Sequence, residues 1–124
     1  MGKRQQAPAA FDLELLMAEH AGRLKIVLAD GMDLIWDGQE AVLAFEDSEQ
    51  DSTGIGRGRS IRRARIRALR EVRILADTSL AEIYLNRGEV VFTTRYYPDA
   101  DAGSLFAEGD VQEAVLWEMA EKTI

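Results

Sequence analysis

The chain has 124 residues and carries 15 Lys and Arg against 22 Asp and Glu, a formal net charge of −7. Its length suits one domain that buries a core without covalent staples, and the absence of cysteine excludes disulfides, thiolate metal sites and cysteine nucleophiles. It has neither an apolar run of the roughly 20 residues that a membrane span needs nor a signal peptide. We therefore expect a soluble, cytoplasmic protein with a flexible lead over residues 1–9 and a single domain over residues 10–124.

Alternation of apolar and polar residues predicts short strands in the first third of the chain. Residues 11–17 alternate, although Leu16 and Ala18 interrupt the pattern and leave a helix over residues 11–20 as an alternative. Three further alternating segments follow, at residues 23–29, 32–36 and 40–46. Asp-Gly dipeptides, which are typical of tight turns, lie between them at residues 30–31 and 37–38. Closely spaced short strands of this kind predict an all-β sandwich or barrel.

The arginine-rich segment that follows fits two structures. Eight arginines lie between Arg57 and Arg73 with Glu71 as the only acid, so this segment carries +7 (eight less one) and the remainder −14 (−7 less 7). A helix would place six apolar residues on one face: Ile61, Ala64, Ala68, Leu69, Val72 and Leu75. Strands would instead align the even-numbered apolar residues: Ala64, Ile66, Ala68, Val72, Ile74 and Ala76. Periodicity does not decide between the two.

The function of these arginines is also open at this point. A solvated face, or one docked against the acidic remainder of the chain, is the default interpretation. Binding of nucleic acid, a phosphorylated sugar or another acidic partner is the alternative, with Arg63, Arg65 and Arg67 as candidate sugar or partner contacts. The net negative charge argues against nucleic acid, because phosphate binding needs a positive face.

Residues 80–85 and 89–97 are β-rich runs that flank Asn86–Arg87–Gly88, which predicts a tight hairpin. With Asn86 opposite Glu89, the register pairs Ile83 with Phe92, Ala81 with Thr94 and Leu85 with Val90. Glu82 and Arg95 then become diagonal neighbours that can form a charge-assisted pair. A loop, a short strand at residues 105–107 and a tail over residues 111–119 that fits helix or strand complete the chain.

A combined motif spans the hairpin. It reads Asp-x-Ser, then Glu-x-aromatic-x-Asn-x-Gly, then Thr-x-Arg-x-aromatic-Pro, and it falls on Asp77, Ser79, Glu82, Tyr84, Asn86, Gly88, Thr93, Arg95, Tyr97 and Pro98. This motif resembles the C-terminal β-sandwich of glycoside hydrolase family 32, which includes invertases and sucrose-6-phosphate hydrolases. The similarity extends over roughly Phe11 to Met119, with a departure at Leu80 and Ala81.

The resemblance implies two antiparallel sheets packed face to face, a jelly-roll-like β-sandwich. Residues 72–76 would form a strand entering the Asp77 turn, no helix would occur at residues 61–69, and the tail would be a last strand that buries Trp117. The motif residues and Trp117 would then be structural.

The resemblance also bears on activity. Family members hydrolyse β-fructosidic bonds with two carboxylates, carried by a separate propeller in Asn-Asp-Pro-Asn, Arg-Asp-Pro and Glu-Cys motifs. None of these motifs occurs here. The resemblance therefore implies an accessory module without catalytic residues, cofactor or metal, partnered by a catalytic propeller or by a second copy of itself.

A few residues keep an alternative interpretation. Trp36 is expected in the core or an interface, but it could stack on a fructose-containing sugar, as could Tyr84 and Tyr97. The lone His20 has no second histidine to share catalytic or metal duty. Asp99, Asp101 and Gly103 imitate the start of a calcium loop, but the rest of the ligand set is missing, which favours a solvated turn. A stand-alone carbohydrate-binding module is therefore the alternative function.

Overall fold

In a computed structural model of the chain, the structure describes residues 5–6, 10–28, 32–45, 61–77, 80–95 and 104–118. These residues form eleven strands and one 3-10 turn at Asn86–Gly88. The strands are β1 (Gln5–Gln6), β2 (Phe11–Met17), β3 (Leu24–Leu28), β4 (Met32–Trp36), β5 (Glu40–Phe45), β6 (Arg62–Arg65), β7 (Glu71–Ala76), β8 (Leu80–Leu85), β9 (Val90–Arg95), β10 (Ser104–Gly109) and β11 (Val111–Glu118).

The strands form two antiparallel sheets. Sheet I has the order β1-β10-β3-β4-β5-β6, and sheet II has the order β11-β2-β7-β8-β9. Every second residue is buried along β2, β3, β4, β5, β7 and β8, and these inward side chains join in one hydrophobic core. This alternation is what a sheet with one buried face requires. The predicted all-β, two-sheet antiparallel sandwich is confirmed.

The predicted hairpins are present. The β8–β9 hairpin has the predicted register, with Ile83 opposite Phe92 and Ala81 opposite Thr94. Gly88 has a φ of 101°, which a side chain would disfavour. In the β4–β5 hairpin, Asp37 Oδ1 accepts the backbone N–H groups of residues 39 and 40, both at 2.9 Å. These two bonds stabilise the carboxylate and lower the pKa of Asp37.

From residue 61 onward, the arginine-rich segment is a strand, a connection and a second strand, and the helix alternative is wrong. β6 ends at Arg65, residues 66–70 cross from sheet I to sheet II, and β7 begins at Glu71. Ile66 and Leu69 are buried within the connection, so the segment contributes to the core although most of its arginines face outward.

The position of Trp117 differs from the expectation. The tail is the predicted strand, β11, but Trp117 is 47% exposed. Leu116 lies opposite the buried Leu13 of β2, so the even-numbered residues of β11 face the core. A register shift between Val111 and Glu113 separates the Val111–Met17 pair from the other pairs of β11 with β2. Both faces of β11 carry apolar side chains, so alternation could not identify the inner one.

Some predictions fall partly or wholly outside the described residues. Of the predicted lead, the structure describes Gln5–Gln6, which pair with β10 and so lie in sheet I. Ser79, the aromatic-Pro end of the motif, and the Asp99–Gly103 segment are not among the described residues. No helix within the described ranges is long and apolar enough to cross a membrane.

Candidate functional site

Two of the motif residues, Asp77 and Asn86, lie at the turns before and after β8. Asp77 accepts a hydrogen bond from the Leu80 N–H at 2.8 Å, and its own N–H donates to the Leu80 carbonyl at 2.9 Å. A side-chain oxygen that bonds a backbone N–H three residues on is a common way to close a turn. Asp77 therefore closes the turn between β7 and β8.

Asn86 joins the hairpin turn to the connection between the sheets. Its Oδ1 accepts the Arg70 N–H at 2.7 Å and the Glu71 N–H at 3.3 Å. Its Nδ2 donates to the Ala68 carbonyl at 2.7 Å and to Glu89 Oε1 at 3.2 Å. An amide is the side chain that can accept and donate at once. Asn86 therefore satisfies backbone groups that the irregular connection leaves without strand partners.

The other described motif residues point away from the core. Glu82, Tyr84, Thr93 and Arg95 lie on the outer face of sheet II. Tyr84 Oη donates to Glu82 Oε2 at 3.0 Å. This bond holds the phenol proton and raises the pKa of Tyr84. Glu82 lies opposite Thr93 and Arg95 opposite Leu80, which confirms the diagonal arrangement of Glu82 and Arg95; the predicted ion pair between them stays a prediction.

The outer face of sheet II carries an open depression of about 760 Å³. Residues directly opposite one another form two rows across the sheet. One row is Trp117, Asp12, Leu75, Glu82 and Thr93; the other is Val115, Glu14, Arg73, Tyr84 and Val91. Four residues of the second row (Val115, Glu14, Arg73 and Tyr84) line the depression, as do Arg87 and Glu113.

Charged groups occupy the centre of this face and are paired. Arg73 donates to both carboxylate oxygens of Asp12, from Nε at 3.1 Å and from Nη2 at 2.8 Å. Its Nε also lies 3.4 Å from Glu14 Oε1. The hydrogen bonds to Asp12 raise the pKa of Arg73 above its ordinary value. Arg87 Nε lies 2.7 Å from Glu71 Oε1. The two hydrogen bonds between Arg73 and Asp12 fix the planes of that guanidinium and that carboxylate.

The outer face of sheet I mixes apolar and charged residues. Its outward apolar residues are Val27, Ile35, Val42, Ala44 and Phe106, but Lys25 lies directly opposite Ile35, and Asp33 lies between Val27 and Ala44. Towards its sides, Glu108 lies opposite Lys25, and Arg63 Nη1 lies 3.2 Å from Glu40 Oε1. Ile35 is 38% exposed although it lies on a central strand.

The candidate sugar or partner contacts do not lie together. Trp36 is 1% exposed, and its Nε1 donates to the Ile66 carbonyl at 2.7 Å. It therefore lies in the core, as the default interpretation expected, and not on a surface open to a sugar. Arg63, Arg65 and Arg67 are exposed at the edge of sheet I and in the connection.

The residues that do cluster on sheet II were not singled out in the sequence. Asp12, Glu14 and Arg73 come from strands far apart in the chain, and only the pairing of β2 with β7 brings them together. The signal was the alternation of Asp12 and Glu14 with apolar residues in residues 11–17, which indicates an outward face but not a partner for it.

Among the described residues, the remaining candidate is His20. His20 lies in a turn with a φ of 61°, and its side chain is 92% exposed. Within the described ranges, no group of three or more His, Asp or Glu side chains is placed to hold a metal ion.

Comparisons with known proteins agree with this architecture. A family model described as "Glycosyl hydrolases family 32 C terminal" matches residues 3–118. A probable sucrose-6-phosphate hydrolase of Vibrio cholerae is 37% identical over 73 residues, which are 58% of this chain and 13% of that protein. The chain thus aligns with a small part of a much longer relative.

Two solved structures share the fold. The exo-inulinase of Aspergillus awamori superposes with a TM-score of 0.71 and 16% identity over 95% of this chain and 26% of the enzyme. Sheep galectin-11 superposes with a TM-score of 0.62 and 9% identity over 94% of this chain and 96% of the galectin. The same sandwich thus forms part of one protein and nearly all of the other, so the fold alone does not decide between an accessory and an independent role.

Proposed function

The chain belongs to the family of glycosyl hydrolases family 32 C-terminal domains, and from this premise we propose that it is a non-catalytic accessory module that docks on a catalytic domain of that family. The relative and the enzyme that it resembles, named as a sucrose-6-phosphate hydrolase and an exo-inulinase, are several times its length. The sequence also carries none of the propeller motifs that hold the two catalytic carboxylates.

The outer face of sheet I is the docking face in this proposal, and its composition is the observation that carries it. Protein interfaces commonly have an apolar centre with few charges and a polar rim. Ile35 and Val42 lie directly opposite each other at the centre of this face. Lys25 and Asp33, one basic and one acidic, lie among these apolar residues on β3 and β4. Arg63, Arg65, Glu40 and Glu108 lie towards the two sides. The face therefore carries three basic and three acidic side chains and no net charge.

Two measurements test the proposal. The purified chain is assayed on sucrose, sucrose 6-phosphate and inulin, and we expect no release of fructose. The chain is then mixed with the catalytic domain of the Vibrio cholerae relative, expressed without its own C-terminal part, and we expect one complex by size-exclusion chromatography. Fructose release by the chain alone, or no complex at micromolar concentrations, would contradict the proposal.

A pair of matched variants tests which face docks. Ile35→Asp places a charge opposite Val42 on the outer face of sheet I, and we expect it to weaken the complex at least tenfold. Val91→Asp makes the same kind of change at a 46% exposed position on sheet II, and we expect it to leave the complex intact. The reverse ranking would assign docking to sheet II.

A further inference from the structure

We propose that the outer face of sheet II binds a neutral oligosaccharide, with Trp117 as the surface on which a sugar ring stacks and with Arg73 and Glu14 as the groups that bond its hydroxyls. This goes beyond the accessory role, because it uses the opposite sheet and does not require a catalytic partner.

Trp117 is the first observation behind the proposal. A tryptophan with 47% of its surface exposed is costly to leave in water, since the indole is one of the largest apolar side chains. The other tryptophan of the chain is fully buried. Trp117 stands at one end of a row across the sheet, directly opposite Asp12. An indole presents a flat apolar surface to the C–H face of a sugar ring while leaving the ring hydroxyls free.

The paired charges next to the indole supply the polar half of the site. Asp12, whose side chain is only 14% exposed, holds Arg73 through two hydrogen bonds. Arg73 and Glu14 remain 51% and 45% exposed. Arg73 Nε lies 3.4 Å from Glu14 Oε1, so the guanidinium and the Glu14 carboxylate are neighbours on this face. A fixed donor and acceptor side by side match two neighbouring hydroxyls, and little side-chain entropy is lost on binding because Asp12 has already oriented the guanidinium.

The size and shape of the depression suit such a ligand. Its volume of about 760 Å³ lies inside the range of roughly 300–1,000 Å³ common for small-molecule sites. It is open toward solvent, and its floor runs from Val115 on β11 to Tyr84 on β8. Trp117 does not line the depression but lies two residues from Val115 on the same face of β11. A short run of sugar rings in the depression would therefore reach the indole by extending past Val115.

The charge of the face selects a neutral ligand. Five carboxylates (Asp12, Glu14, Glu71, Glu82 and Glu113) face three guanidinium groups (Arg73, Arg87 and Arg95), a net charge of −2. This balance repels phosphorylated sugars. It also disfavours a second copy, whose identical face would bring like charges together. A protein partner would have to bury the charges at the centre of the face, which costs desolvation that sugar hydroxyls can compensate directly.

Calorimetry and tryptophan fluorescence of the full chain test the proposal, with inulin oligosaccharides, levan, sucrose and maltotriose as neutral probes and sucrose 6-phosphate as the anionic one. We expect saturable, millimolar binding of at least one neutral probe. Trp117→Ala should weaken it at least tenfold, and Trp117→Phe, which keeps an aromatic ring, should weaken it less. Val91→Ala, on the same face but distant from the indole, is the matched control and should bind as the unchanged chain does.

Three results would overturn the proposal: no binding of any neutral probe, equal binding by Trp117→Ala and the unchanged chain, or tighter binding of sucrose 6-phosphate than of sucrose. Thermal unfolding of each variant establishes that it is folded. The catalytic-domain complex is measured separately through sheet I, so failure of sugar binding leaves docking unaffected, and failure of docking leaves sugar binding unaffected.

Discussion

The connection between β6 and β7 and the outer face of sheet II are both rich in polar contacts, but they use them differently. In the connection, side chains bond the backbone: Trp36 bonds the Ile66 carbonyl, and Asn86 bonds groups of Ala68, Arg70 and Glu71. On the outer face, side chains bond one another, as Arg73 does with Asp12. The first kind of contact fixes the path of the chain, whereas the second fixes the orientation of groups that solvent or a ligand can still reach.

The largest expected effect tests this difference with the two tryptophans. Trp36→Phe removes the Nε1–H that bonds the Ile66 carbonyl in the core, and an unpartnered buried acceptor together with the lost volume should cost about 2–3 kcal/mol. Trp117→Phe changes a half-exposed side chain and should cost less than about 0.5 kcal/mol. Urea unfolding of both variants measures the difference. Equal losses would mean that the buried hydrogen bond contributes little.

A smaller effect is expected at the hairpin turn. Asn86→Ala leaves the Arg70 and Glu71 N–H groups and the Ala68 carbonyl without their side-chain partner, and partial access of water limits the loss to about 2 kcal/mol. Its neighbour Arg87 forms an exposed ion pair with Glu71, and Arg87→Ala should cost less than about 1 kcal/mol. Chemical unfolding ranks the two variants; a larger loss for Arg87→Ala would reverse the assignment of roles.

The smallest expected effect is a loss of folding stability at alkaline pH. The bond from Tyr84 to Glu82 raises the pKa of the phenol in the folded chain, so its stabilising contribution is complete below the pKa of an unfolded tyrosine and is lost as pH rises through the higher folded value. The window therefore lies above about pH 10. Tyrosinate absorbance should show one residue titrating late, and Glu82→Gln should move it back toward the ordinary pKa. No change in that variant would show that Glu82 does not hold the proton.

The sequence predicted the strands better than it predicted their faces. The β8–β9 register followed from a turn that admits only one pairing, because a glycine and two turn residues fix the loop length. The inner face of β2 followed equally well, since only one of its faces is consistently apolar. In β11, Ala114 and Leu116 compete with Val115 and Trp117 for the interior, and the neighbour β2 decides.

The candidate sites were harder to predict because they also depend on which strands lie side by side. Trp36 and the exposed arginines stood out individually by residue type, but the structure places the tryptophan in the core. Asp12, Glu14 and Arg73 meet only because β2 pairs with β7, 61 residues apart in the chain for Asp12 and Arg73. Long-range pairing of this kind is not encoded in any local pattern.

The arginines of β6 have a consequence for solubility. Among the described strands, β6 and β9 are the last members of their sheets at the same side of the sandwich. Arg62 Nη1 reaches from one to the other and donates to the Thr93 carbonyl, so it occupies an acceptor that an incoming strand would use. The exposed side chains of Arg63 and Arg65 add like charges along the same border. Short, positively charged borders of this kind oppose edge-to-edge pairing with the strand of another molecule.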